Sequence, residues 1–280
     1  MTVGNTLRAR SRSVRANGAT PTGAVNAGAA LGFTARGVTY LVIGVLALAI
    51  AAGNASTPQA DRTGALQLVA GQHYGRVLLW LLVAGFAAMA LWRFAQVAAW
   101  ARRPGSHRGD QAKSFLRGVA YAVFCYGTLR YVSEDRLPAS TNQQSQDFTT
   151  RAMAHGGGRV LVVFVGLVIA VAGLSMIRTG VTRSFLKELK TSRMSHSTRE
   201  GVTWLGVVGN VARGLVFGAL GGYLIEAAVT FDPAKAKGID ATLRSFTHTA
   251  AGPWLLAAVA AGLALFGVYS FCEARWHQGL

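Results

Sequence analysis

Six stretches of this chain run close to 20 residues each and are nearly free of charge: 36–53, 76–99, 116–133, 159–178, 208–229 and 252–273. A helix needs about 20 apolar residues to cross ~30 Å of hydrocarbon. A soluble helical protein would keep a polar face on its helices, yet residues 160–172 and 255–267 hold no charged side chain. Only 14% of the 280 residues are charged, against about 25% in soluble domains. The expected fold is all-α and integral to a membrane, with six transmembrane helices.

The stretches are related by an internal repeat. Arg36-Gly37-Val38-Thr39-Tyr40 returns as Arg117-Gly118-Val119-Ala120-Tyr121 and as Arg213-Gly214-Leu215-Val216-Phe217. The even stretches open alike, on Gly75-Arg76-Val77-Leu78, Gly158-Arg159-Val160-Leu161 and Gly252-Pro253-Trp254-Leu255. The unit is a helix hairpin, and the chain divides into repeat one (31–103), repeat two (113–180) and repeat three (208–277) within a membrane domain, 31–280. Parallel repeats in a membrane are related by an axis along its normal, so three hairpins predict a pseudo-three-fold axis. Segments 61–66 and 238–243 read as short amphipathic helices on the outer surface, each over its own hairpin. Repeat two departs here, because 145–149 lacks the glycine and leucine of its sisters.

Charge sets the expected orientation. The net charge is +17, from 28 Lys and Arg against 11 Asp and Glu. By the six-span layout, 19 of the 28 basic residues fall on the side of the N-terminus. This is the positive-inside pattern. It predicts a multi-pass protein of a bacterial plasma membrane with both termini cytoplasmic. Topology thereby accounts for the basic balance, which in a soluble chain would point to nucleic acid; no nucleic-acid partner is expected. Residues 1–30, with Arg8, Arg10, Arg12 and Arg15, show no apolar periodicity and are expected to form a disordered basic cytoplasmic tail.

Three Arg-Gly-x-x-aromatic hairpins, the segment 236–246 (AKGIDATLRSF) and the closing 267–276 (GVYSFCEARW) resemble the actinobacterial membrane family catalogued as domain of unknown function 1206. The resemblance covers about residues 30–277 and is clearest in repeat three. It implies six helices in three pairs and carries no chemistry with it.

The candidate site residues follow from the repeat. Arg36, Arg117 and Arg213 open equivalent helices. Each marks topology and can snorkel to phosphate, and three arginines around one axis would bind an anion or an anionic lipid headgroup. Arg130 and Glu226 sit at one register, thirteen residues after Arg117 and Arg213, and could pair inside the membrane. Arg93, Gln96, Glu273 and Arg275 read as boundary residues. Cys125 and Cys272 read as small apolar residues, and His73, His155 and His248 drift in register, so no metal site is expected. No Ser-His-Asp order, HExxH or phosphate loop appears, and neither enzyme activity nor a cofactor is expected. Two functional readings remain: a structural or accessory membrane component that binds lipids or a membrane protein partner, and a small channel, transporter or lipid-handling protein that uses the interior.

Overall fold

The computed structural model describes residues 21–54, 57–101, 108–134, 138–249 and 251–277. Six long helices dominate: α1 (Pro21–Ala51), α3 (Gly75–Ala101), α4 (Arg108–Glu134), α6 (Gly158–Val181), α7 (His196–Thr230) and α9 (Gly252–Trp276). Three short helices, α2 (Arg62–Ala70), α5 (Thr141–Met153) and α8 (Ile239–Ser245), lie between the members of each hairpin. Five of the long helices are long and apolar enough to cross a membrane; α4 is not. Its stretch carries Arg117 and Arg130 and interrupts its aliphatic residues with tyrosines and glycine.

The expected tail needs correction. Residues 1–20 lie outside the described residues, but 21–30 are the first ten residues of α1. Proline fits the first turn of a helix, and Pro21 opens this one. Ala29 and Phe33 are buried in a cluster with Met89 and Trp92 of α3, which gives this segment an apolar surface to fold on.

Each motif glycine packs on the even helix of another repeat. A side chain at Gly37 would meet the Gly267 carbonyl of α9 at 3.0 Å, and one at Gly214 would meet the Gly173 carbonyl of α6 at 2.6 Å. Two turns on, Gly44 abuts Ala264 of α9, and Gly221 abuts Ala170 of α6. Small residues let helix backbones approach this closely. The third seam, α3 against α4, is built differently. Gly118 faces the Phe94 ring, and Cys125 stands where the other seams have glycine, with Sγ 3.6 Å from the Val83 carbonyl.

Contacts within the hairpins follow a second pattern. In repeat one, Gly32 abuts Met89 and Gly85 abuts Ala35. In repeat three, Gly209 abuts Phe266 and Gly262 abuts Ala212. The equivalent residues of repeat two are Lys113, Ala172, Val168 and Leu116. None of these is glycine, and α4 and α6 barely approach each other. The long helices therefore run side by side in the order α4, α3, α1, α9, α7, α6, with one open side. Only 17% of the apolar window of α6 is buried, against 39–50% in the other four candidate spans.

One end of the bundle, the capped face, carries α2, α5 and α8. The sequence leads one to expect helices lying on a surface. Instead α2 buries Thr63, Gly64, Ala65, Leu66 and Val69, and α8 buries Asp240, Thr242, Leu243 and Ser245. They dip into the bundle because their polar groups are satisfied by one another. Asp61 Oδ1 accepts the Thr63 and Gly64 amides, while Oδ2 accepts the Thr141 amide and hydroxyl, each at 2.9 Å. Thr141 Oγ1 in turn accepts the Ile239 amide at 3.0 Å, and Asp240 Oδ1 accepts the Ala60 amide at 2.7 Å. The starts of α2, α5 and α8 thus form a closed hydrogen-bonded circuit. α5 exists despite its divergent sequence because Ser140 and Gln143 form a capping box.

Candidate functional site

The opposite end, the basic face, gathers arginines inside the bundle. Arg36 lies midway along α1, so the α1–α9 seam carries it against α9 and away from the helix end. It pairs there with Glu273, which is 5% exposed, and its Nε donates to Ser270 Oγ at 3.1 Å. Its guanidinium stands 4.9 Å from the Phe33 ring and 5.1 Å from the Phe266 ring. Arg213 of α7 reaches the other side of the same group, 4.1 Å from the Phe266 ring and 4.9 Å from the Tyr40 ring. Two of the three motif arginines therefore meet at Phe266.

Arg117 does not join them. It lies one turn before Tyr121, which stacks on Phe86 of α3, so it sits on the inward stripe of α4. It is nevertheless exposed, because α6 does not close that side. Its neighbour Gly118 touches Phe94, which brings Arg117 to the part of α3 that carries Arg93.

Arg93 is one residue that sequence reasoning placed wrongly. It does not snorkel to a boundary; it is 6% exposed. Its guanidinium lies 4.4 Å from the Trp92 ring, and one Nη donates to Gln96 at 3.0 Å. Neither Arg93 nor Arg213 has an acidic partner among the described residues, and the buried Nε of each lacks a hydrogen-bond acceptor. The Tyr269 hydroxyl, also buried, has none either.

The repeat explains the imbalance. Ser270 and Glu273 fall 18 and 21 residues after Gly252; Arg93 and Gln96 fall at the same offsets from Gly75. At the α1–α9 seam the motif arginine meets a carboxylate. At the α3–α4 seam the same position offers a second arginine and a neutral amide. Glu273, read from sequence as a boundary residue, is thus the buried partner of Arg36. The available signal was its place as the sole acid of α9, one turn after Ser270.

His277 closes this end. Its ring lies 4.9 Å from both Phe33 and Trp92, and its backbone bridges to Leu189 in the segment between α6 and α7. Burial pushes its imidazole down to about 4; Glu188 opposes this, and Arg93, Arg36 and Lys190 add to it.

The expected pair of Arg130 and Glu226 does not form. Arg130 pairs with Glu134 one turn along α4, and Glu226 pairs with Lys235 at 3.3 Å. Each is substantially exposed, so the nearest local partner wins over a distant one. Near the capped face, Arg62 reaches across to α4 and donates to the Phe124 carbonyl at 2.8 Å. Burial lowers its pKa to about 10, despite the nearby Asp61 carboxylate. His73, His155 and His248 are exposed, and no group of three metal-ligating side chains occurs among the described residues.

The chain matches a known family. The pattern described as Domain of Unknown Function (DUF1206) matches residues 31–100, 112–183 and 208–277, and the chain belongs to that family. The three matches fall on the three hairpins. A relative in Bacillus subtilis (strain 168), the uncharacterized protein YxxB, is 28% identical over 251 residues, which cover 89% of this chain and 90% of that protein. No solved structure matches the chain.

Proposed function

We propose that this chain is an accessory or structural component of a bacterial plasma membrane that binds the anionic headgroup of a lipid at its basic face. Six helices span the membrane around a pseudo-three-fold axis, with both termini and the basic face in the cytoplasm. The recurring seams support that arrangement, because each motif glycine meets the even helix of the repeat before it in cyclic order. Arg93 carries the functional reading. A buried guanidinium with no salt-bridged carboxylate costs several kcal/mol. Glu188 and Glu273 act on Arg93 without a salt bridge, it stands near the outlying Arg117, and Arg213 likewise makes no salt bridge. A phosphate accepts several N–H bonds at once and is matched in shape to the guanidinium fork. Of the motif arginines, Arg117 and Arg213 remain available to it, while Arg36 is committed to Glu273.

Native mass spectrometry of the full chain, released from a defined mixture of phosphatidylglycerol and phosphatidylcholine, tests this. Wild-type protein is expected to retain phosphatidylglycerol selectively. Arg93→Gln should abolish the selectivity and Arg93→Lys should restore part of it, with thermal unfolding reporting that each variant is folded. Wild-type protein that retains both lipids equally would overturn the reading.

A further inference from the structure

The open side of the bundle lies between α4 and α6, and it is written into the sequence. Repeats one and three close their hairpins through Gly32, Gly85, Gly209 and Gly262; repeat two places Lys113, Leu116 and Val168 at the corresponding crossing. Leu116 is 64% exposed and Val168 47%. The inward stripe of α4 is laid bare as a result: Arg117 is exposed at its basic end, and Phe124, which contacts Phe86 across the interior, is 37% exposed. Around Arg117 and on toward the capped face, the flanks of the opening are apolar, with Leu116 and Val123 on α4 and Phe164, Val168 and Val171 on α6 all exposed. At the capped face Arg62 turns inward onto the Phe124 carbonyl, beneath the closed circuit of α2, α5 and α8.

We infer that the gap between α4 and α6 is a lateral seat for one anionic glycerophospholipid of the leaflet at the basic face. Its phosphate rests on Arg117 and Arg93, and an acyl chain lies between Leu116 and Val168. This rests on the anion-site reading above and adds both the ligand class and its route. Charge complementarity selects the occupant. The exposed cation, Arg117, stands at the basic end, Arg62 at the capped end is already held by the Phe124 carbonyl and Thr128 Oγ1, and the flanks between them are apolar, which is the polarity profile of a lipid. A soluble anion would leave the apolar flanks of the gap without a role. Entry from the side also accounts for an arginine that lies on the inward stripe of α4 yet is exposed.

The test reconstitutes the full chain in phosphatidylcholine vesicles containing phosphatidylglycerol with a diazirine in one acyl chain, followed by irradiation and peptide mapping. Adducts are expected several-fold enriched on 116–124 of α4 and 164–171 of α6 relative to the exposed residues Trp254, Leu265 and Val268 of α9. Leu116→Ala combined with Val168→Gly, which restores the small residues of the sister hairpins, should lower those adducts several-fold. Adducts spread evenly over all lipid-facing helices would overturn the lateral seat. If phosphatidylglycerol selectivity in native mass spectrometry survives that result, the headgroup site stands without a lateral seat; if selectivity is absent too, both fall. Stoichiometric co-purification of a second membrane protein that shields α4 and α6 from the label would also overturn the lipid as occupant, in favour of a partner helix.

Discussion

Repeats two and three are built from the same unit and end in different states. In repeat three, α7 and α9 meet through Gly209 and Gly262, so the hairpin is shut and its end holds the buried Glu273. In repeat two the corresponding crossing holds Leu116 and Val168, and the position of Glu273 is taken by Thr179, whose hydroxyl donates to the Ser175 carbonyl of its own helix. Yet α6 packs on α7 through Gly166, Gly173, Gly214 and Gly221 as closely as α1 packs on α9. Seams between repeats therefore hold the bundle together, and closure within a hairpin is a separate property that one repeat has given up.

The largest expected effect contrasts the two equivalent polar positions. Glu273→Ala leaves Arg36 buried without its carboxylate and is expected to cost about 3–5 kcal/mol. Thr179→Ala should stay within ~0.5 kcal/mol. Denaturant titration in detergent reads both, and equal costs would erase the contrast. Replacing Arg36 and Glu273 together by Met and Leu should recover most of the loss, since apolar replacements of a buried pair are often neutral.

Seam glycines come next. Gly221→Leu drives a side chain into the Ala170 backbone, which a Cβ would approach to 2.6 Å, and is expected to cost about 2–3 kcal/mol. Cys125→Leu, at the same register of the looser α3–α4 seam, should cost less than half of that, in the same titration. Within the hairpins, Gly209→Leu meets the Phe266 Cα at 2.7 Å and should cost about 2 kcal/mol. Lys113→Leu should change stability by under ~0.5 kcal/mol, because its hairpin is already open.

A separate effect concerns pH at the join between the two repeats, where His277 bridges to Leu189. The folded imidazole titrates near 4 and an unfolded one near 6.5. The unfolded chain binds the extra proton between those values, so stability is full above about 6.5 and declines as pH falls toward 4. A melting temperature measured from pH 7 to pH 4.5 should fall in wild-type protein, and His277→Phe should remove that part of the slope.

Much of this was legible in the sequence. The three hairpins follow from apolar length and from a motif repeated in register, and both signals are local. Which helix each glycine would meet was not, because Gly37 and Gly267 are far apart along the chain and only the fold brings them together. The same limit hid Glu273. A carboxylate three residues from the end of an apolar helix reads as a boundary residue until Arg36 is placed opposite it. Arg93 was misjudged for the converse reason: snorkelling is the rule for an arginine near a helix end, and only its burial behind Trp92 and His277 sets the rule aside. The open hairpin was not legible: the departure noted in repeat two, at 145–149, falls in α5, and the residues that open the hairpin become visible only once the contacts of the other repeats show which positions had to be small.

Arg36 and Glu273 are 237 positions apart, and that distance is also a delay. A ribosome adding about 5–20 residues each second needs roughly 10–50 s to bring out the carboxylate after the arginine. Throughout that time the first helix carries a charge with no match, and the circuit at the other end stays open too, since Ala60 waits for Asp240 across 180 residues. The last hairpin therefore works as a latch. A chain that stops short of it is left with unmatched polar groups in its first hairpin, a defect that marks it as unfinished.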